Sequence, residues 1–366
     1  MCTDAVPPPQ HEIPSGETIK VSMINTVNFG PGNVAKLMGP PVPYVEHFGT
    51  SPALSFLLEH SSGRKLVFDL GVRKDYLNLA PKISNYIPTT PYKFDVTQDV
   101  IEVLEENGIK GEDIEAVIWR SHYHWDHIGN PSLFPPTTDL IVGPGFKEKM
   151  LPGAPANPES EILESDYEVR GRTLREITCT GEGSLKIGKF SAFDYFGDGS
   201  FYLLDTPGHA VGHLNGLART TKNPDTFVWL GGDIAHFGGE YRPSQYLPIP
   251  DNIEPHTGFI PKHKPFCPGE EFAKLQESRG RKPNEPLYEV RFGTDPVLAM
   301  ETIGHMQEFD VNDNIFVIIA HDRDVRDLVP HFPEKLNDWK EKGYAKKLKW
   351  AFLRDLDAYW KYVNVI

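Results

Sequence analysis

Ser121-His122-Tyr123-His124-Trp125-Asp126-His127 crowds three histidines and a carboxylate into the six residues after Ser121, just beyond the apolar run Ala116-Val117-Ile118-Trp119. Alternate side chains share one face of a strand, so a strand running through this stretch points His122 and His124 the same way. A loop beyond it turns Asp126 and His127 back toward a second point nearby. Imidazole nitrogen with carboxylate oxygen suits zinc and neighbouring first-row metals, and no cysteine stands close enough to make a thiolate site. The alternative is a polar turn whose histidines face water. Four such residues beside a β-branched strand argue against it, because groups that resist burial need something to compensate them.

Working outward, three more segments end an apolar run in a metal-binding residue type. Asp205-Thr206-Pro207-Gly208-His209-Ala210-Val211-Gly212-His213 sets His209 in a glycine-flanked turn, as a third nitrogen for the metal held by His122 and His124. His213 suits a structural hydrogen bond better than ligation. Phe227 to Leu230 leads into Gly231-Gly232-Asp233-Ile234-Ala235-His236, where Asp233 either starts a turn or bridges two cations. With so many ligand types assembled elsewhere, the bridge is the stronger reading. Ile315 to Ala320 delivers His321-Asp322 in the same manner. In Phe68-Asp69-Leu70-Gly71, spacing alone reads Asp69 as a turn former.

Composition narrows the partners. The chain has 366 residues, enough for one large domain or two small ones, and 39% of them are hydrophobic. A net charge of −14, from 37 basic and 51 acidic residues, disfavours nucleic acid and anionic membranes and fits a neutral or weakly charged small molecule. Cys2, Cys179 and Cys267 follow no metal or disulfide spacing and read as reduced thiols. Residues 1–16 lack the basic start and apolar core of a secretory signal, and no apolar window is long enough to span a membrane, so a cytoplasmic location is expected.

Residues 1–17 read as a flexible, proline-rich tail, and 18–366 as one domain. Ile19, Val21 and Met23 alternate as a first strand, and Ala53 to Glu59 pairs with Lys65 to Asp69 across Ser61-Ser62-Gly63-Arg64. Thr97 reads as the N-cap of a helix through Glu106. Further strands are expected at Leu140 to Val142 and at Lys189 to Phe196 and Ser200 to Leu204, the last two joined at Gly197-Asp198-Gly199. The long connection from Gly30 to Pro52, with Leu37, Met38, Tyr44 and Phe48, is either a pocket wall or a packed loop. Residues 237–296, with Tyr241, Tyr246, Phe259, Phe266, Phe272 and Tyr288, form either a lid over an apolar acyl or aromatic pocket or a surface contact, for instance in a homodimer. The 333–366 extension is helical in pattern, with Leu336, Trp339, Leu348, Phe352, Leu353 and Leu356 as its apolar stripe. Its Lys340, Lys342, Lys346, Lys347 and Lys349 read as a solvated face more simply than as a seat for an anionic cosubstrate.

The H-x-H-x-D-H signature at His122, His124, Asp126 and His127, the Thr-Pro-Gly-His ending at His209, the Gly-Asp at Asp233 and the late His321 resemble the metallo-β-lactamase superfamily, in that order along the chain. The resemblance implies an α/β fold, a four-layer αββα sandwich with two metals at one edge. By position, it implies His122, His124 and His209 on one Zn2+ and Asp126, His127 and His321 on a second, with Asp233 bridging and Asp69 in support. Mn2+ or Fe2+ are the alternatives to zinc.

Two such metals polarise a carbonyl or phosphoryl group and make a bridging water acidic, so hydrolysis is expected. Asp233 argues against a true β-lactamase, since those lack a bridging Asp. The segments at His209 and Asp233 are similar to those of glyoxalase II enzymes and acyl-homoserine lactonases. Those lactonases carry a Tyr three residues past the bridge, where this chain has His236, which either donates the same hydrogen bond or lines the pocket. His321 lies 88 positions after Asp233, a longer span than in a compact lactonase. The expected activity is opening of a lactone or lactam, with Asp126 and His236 as catalytic residues. Thioester hydrolysis is the first rival, organophosphate or phosphodiester hydrolysis the next, and metal-stabilised binding without turnover the rival from another class.

Overall fold

A computed structural model describes residues 5–119, 122–181, 184–250 and 268–364. Cys2, Ser121, Phe259, Phe266 and Cys267 lie outside the described residues.

Two six-stranded sheets carry the chain. The first is built from β1 (Ile19–Ile24), β2 (Ser55–His60), β3 (Lys65–Phe68), β4 (Ala116–Ile118), β5 (Asp139–Val142) and β6 (Leu174–Glu176), side by side in that order. The second is β7 (Leu185–Ile187), β8 (Phe190–Asp194), β9 (Phe201–Asp205), β10 (Leu214–Thr221), β11 (Thr226–Leu230) and β12 (Ile315–Ile318). Hairpins make the first half of sheet one antiparallel, and β3, β4, β5 and β6 are then parallel. Sheet two is antiparallel up to β11, with β12 parallel to it.

Period-two alternation sorts the side chains into layers. Phe56, Leu58, Leu66, Phe68 and Ile118 of sheet one meet Phe201, Leu203, Val228, Leu230 and Ile318 of sheet two in one central cluster. The residues between them point the other way. Leu57, Val67, Val117 and Leu140 pack outward against the helix α1 (Val100–Glu106), and Leu217, Trp229 and Val317 against α2 (Pro296–Asp310). Helix, sheet, sheet and helix stack as an αββα sandwich. Among the described residues, no helix is long and apolar enough to cross a membrane.

The α1 cap differs from the expected Thr97. Asp99 takes that place, and the Glu102 side chain reaches back to accept the Asp99 backbone N–H at 2.8 Å. Residues 5–17 do not hang loose. His11 bonds Glu308 at 2.7 Å and stacks on Phe309, the Glu17 N–H donates to Asp198, and the Pro14 carbonyl accepts from the buried Arg219. Within the C-terminal extension, residues 333–364 fold as turns and short helices, Tyr344–Leu348 and Asp357–Tyr362 with a 3-10 stretch between, and all six residues of its apolar stripe are buried.

Three segments far apart in sequence share a further cluster: Val34, Met38 and Phe48 from the early connection, Phe237, Phe272 and Tyr288 from the inserted segment, and Phe352, Leu356 and Trp360 from the C-terminal extension. Arg242 pins them. Its guanidinium donates twice to the Asp310 carboxylate, at 2.8 and 2.6 Å, and once to the Lys349 carbonyl at 2.9 Å. The Lys349 ammonium turns inward to the same aspartate, which removes it from the basic surface the sequence suggested. Burial would raise the Asp310 pKa, but the charges of Arg242 and Lys349 hold it down at about 2. The pair therefore stabilises above the ordinary aspartate range, and that contribution is lost as pH falls through about 2. An Asp310→Ala variant leaves a buried arginine without its partner and is expected to lose about 3–5 kcal/mol in urea unfolding at pH 7. A loss below about 1 kcal/mol would show that the clamp is not holding the segments together.

Candidate metal centre

β4 ends at Ile118, earlier than the alternation argument needed, and residues 122–127 form bends and a turn. His122 and His124 are brought together by this turn, and strand periodicity has no part in it. Trp119, fully buried, anchors the turn by donating its indole N–H to the Ile128 carbonyl at 3.0 Å. The Leu70 N–H donates to the His127 carbonyl and the Gly129 N–H to that of Gly71, each at 2.9 Å, stitching the loop to the end of β3. Asp69 sits there at φ +59 and bonds His127 Nδ1 at 2.9 Å, so it is both turn former and support.

His209 depends on its preceding glycine. Gly208 lies at φ +122, and a Cβ there would come within 2.3 Å of the Ala299 backbone nitrogen. The Thr294 and Asp295 N–H groups donate to the His209 and Gly208 carbonyls, both at 2.8 Å. Asp233 follows two glycines stitched across the sheet end, Gly231 N–H to Ile318 and Ala320 N–H to the Gly232 carbonyl. His213 is fully buried, and its partners set its tautomer. Nδ1 lies 3.0 Å from the Thr206 carbonyl and must carry the hydrogen, so Nε2 accepts the Asp233 N–H at 3.1 Å. Burial holds its pKa down at about 4, consistent with a neutral ring that props the Asp233 backbone.

Asp233 turns its two oxygens to two different groups. Oδ2 lies 3.2 Å from His122 Nε2 and 3.5 Å from His209 Nε2; Oδ1 lies 3.2 Å from His127 Nε2 and 2.9 Å from His321 Nε2. The ligand atoms of His122, His124, His209 and Asp233 fall within 4.8 Å of one another, as do those of Asp126, His127 and His321. Asp126 Oδ2 is 3.6 Å from His321 Nε2. The seven residues singled out in the sequence as ligands thus stand in two clusters with one carboxylate between them.

These contacts are not those of a satisfied hydrogen-bond network. Burial pushes His122 and His209 well below the ordinary histidine range and His124 to about 3, so the rings are neutral and carry one N–H each. Yet His122 Nε2 and His209 Nε2 both face His124 Nδ1, at 2.8 and 3.0 Å, and a single hydrogen on that atom serves only one of them well. His321 Nδ1 lies 2.7 Å from the Pro52 carbonyl and must be its donor, which in the neutral ring points the Nε2 lone pair at the Asp233 oxygen. Lone pairs converging on a carboxylate are what a divalent cation resolves, and three nitrogens with one oxygen suit zinc-like ions.

The sequence profile of the metallo-beta-lactamase superfamily matches residues 48–218. A gamma-lactamase of Fusarium pseudograminearum is 40% identical over 97% of this chain and 86% of its own length. A metallo-hydrolase of Annulohypoxylon moriforme is 44% identical over 96% of this chain and 92% of its own. The chain belongs to the metallo-β-lactamase superfamily. It is a metal-dependent hydrolase by the names of these relatives. The solved structure of an N-acyl homoserine lactone hydrolase shares the fold, with a TM-score of 0.56 at 18% identity over 87% of this chain and 100% of that one.

Around the clusters, Phe29 packs edge-on against His321 and Trp125, with Tyr92 and Phe94 beside them. Opposite, Phe292 is 41% exposed although its ring centroid lies 5.3 to 5.9 Å from those of His124, His209 and His236. No sequence signal marked Phe292, a lone aromatic before a glycine. Of the aromatics expected in a lid, Tyr241, Phe272 and Tyr288 are instead buried in packing clusters, and they anchor the inserted segment. In the early connection Phe48 packs in the shared cluster, and the Pro52 carbonyl accepts from His321 Nδ1. Behind His236 and His321, a cavity of about 20 Å³ lined by Ser51, Arg242 and Asp324 has room for a water molecule.

Dialysis against a chelator is expected to lower the thermal midpoint, and added zinc or manganese to restore it. Free metal about 100-fold above its Kd stabilises by roughly 2.7 kcal/mol per site. Metal-free preparations that melt at the same temperature with and without these ions would contradict the assignment.

Proposed function

We propose that the protein is a dinuclear metal hydrolase that opens a cyclic amide or ester. The division of the Asp233 carboxylate between two clusters carries this reading. His122, His124 and His209 would hold one ion and Asp126, His127 and His321 the other, with Asp233 shared and zinc the expected metal, manganese or iron(II) the alternatives. When bound, the pair would supply Lewis acidity toward the carbonyl oxygen and a water acidic enough to ionise near neutral pH.

The residues of the chain do the rest. Asp126, which burial pushes up from the usual carboxylate range, takes the proton from the attacking water and passes it to the leaving nitrogen or oxygen as the ring C–N or C–O bond breaks. His236, with Nε2 at 3.4 Å from Asp233 Oδ2, faces the same space and steadies the carbonyl oxygen. Phe292 and the Trp125 wall give the mouth an apolar, uncharged lining. That supports a neutral small-molecule substrate with an apolar part.

Amide opening is favoured over ester opening by the full-length likeness to a protein named gamma-lactamase. The cytoplasm is the proposed place of action. Cys179 is buried, with its thiol pushed up to about 12, and so inert.

Wild-type protein loaded with zinc or manganese should be assayed on lactams, lactones, acyl thioesters and aryl phosphates. Turnover of γ-lactams, with lactones next, is expected; hydrolysis confined to thioesters or phosphates would overturn the substrate class. An Asp126→Asn variant is expected to fold and keep most of its metal while losing about 10²- to 10⁴-fold in kcat. Unchanged kcat would remove Asp126 from proton transfer.

A further inference from the structure

We propose that Glu240 is a positioning residue for His236: its buried carboxylate fixes the imidazole with Nδ1 turned inward and Nε2 turned to Asp233 and the substrate. This rests on the hydrolase reading above, and it assigns a task to a residue outside both metal clusters.

Glu240 is fully buried, at the end of the short 3-10 turn Gly238–Glu240. Its Oε2 accepts the backbone N–H of His236 at 2.6 Å and of Phe237 at 3.2 Å. Its Oε1 is buried and has no hydrogen-bond partner among the described residues. Capping two N–H groups does not need a charge, because the amide oxygen of a glutamine would accept both. Keeping a carboxylate out of water is costly unless a cation or donor answers it. Arg242, two residues on, is committed to Asp310. The unanswered ring nitrogen beside Glu240 is that of His236, whose Nδ1 lies 3.8 Å from Oε2 and is itself buried without a hydrogen-bond partner among the described residues.

The pairing has a direction. The opposite edge of the same ring presents Nε2 to Asp233 Oδ2 at 3.4 Å, and the ring lies parallel to that of His321, 5.8 Å between centroids. A flipped or rotated imidazole would lose the Glu240 contact and aim a carbon edge at the site. A gap of 3.8 Å is too long for a hydrogen bond, and contacts of this kind tighten when substrate is bound. The backbone between the partners is packed too closely to drift. Phe237 stacks on Phe48 at 4.4 Å, and a Cβ on Gly238 would meet the Phe352 ring at 2.9 Å. Glu240 is thus held by the shared cluster of three segments, and through it that cluster sets the angle of a ring at the reacting centre.

A double-mutant cycle on the metal-loaded protein tests this. Glu240→Gln keeps both caps and the side-chain size. It is expected to retain fold and metal content, to lower kcat about 10- to 100-fold, and to leave KM within threefold. In an H236A background the same change should cost less than twofold, because Glu240 then has nothing to position; Glu240→Asp, which keeps the charge, should recover part of the loss. An equal loss in both backgrounds would reduce Glu240 to a structural cap, and unchanged kcat would overturn the proposal.

A second readout does not depend on turnover. With histidine ring nitrogens labelled by 15N, the Nδ1 signal absent in H236A identifies His236, and it is expected to shift in E240Q. If that signal is indifferent to E240Q, the proposal fails even in an active enzyme. If it shifts while no lactam or lactone is hydrolysed, the positioning stands and the substrate reading falls.

Discussion

A carboxylate that must be ionised and yet is almost wholly excluded from water is the constraint on which the rest of this structure depends. Asp233 is 2% exposed, and burial alone would favour its neutral form. The rings of His127, His321, His236 and His122 surround it, and the charge on His127 and His236 holds its pKa well below the usual range. Those four rings come from three separate chain segments. To bring them to one point, β4, β11 and β12 must end at the same edge, and the connections after them must be held within a few tenths of an ångström. The backbone bonds from Gly231 to Ile318, Ala320 to Gly232 and Leu70 to His127 do this with main-chain groups, which frees the side chains for chemistry.

The support around this centre is directional. His213 gives Asp233 an acceptor for its N–H, Asp69 and the Pro52 carbonyl each occupy the far nitrogen of a histidine, and Trp119 fixes the loop between them. Each partner settles which nitrogen of a ring faces inward. Charged support stands further off. Arg242, Asp310 and Lys349 bind the inserted segment and the C-terminal extension to the end of α2, and Glu240 lies between that clamp and His236.

Much of this was legible in the chain. The candidate ligands of the 122–127 loop lie close together, and His209, Asp233 and His321 each follow an apolar run, so local pattern and long-range order agreed. What was hidden depended on tertiary partners. β10, the eight residues Leu214–Thr221 in the middle of sheet two, contains Asn215, Gly216 and Arg219, which do not read as a buried strand. It is buried because Asn215 bonds the Trp229 indole and the Gly231 carbonyl, while Arg219 takes the carbonyls of Gly199 and Pro14. The same reason hid the anchoring of residues 5–17, since their partners, Arg219 in sheet two and Glu308 in α2, lie some 200 or 300 positions away. Phe292 could not be singled out at all: its importance comes only from the turn that lies beneath it.

That turn has a further consequence. Thr294 and Asp295 are fastened to His209 and Gly208 by N–H to carbonyl bonds, neither of which involves a side chain. The ring of Phe292 therefore projects over the histidines from a mount that is indifferent to what position 292 carries. Exchange of that one residue could retune which molecules are admitted without loosening any group beneath. In an enzyme of this design, selectivity and reactivity can diverge on separate schedules.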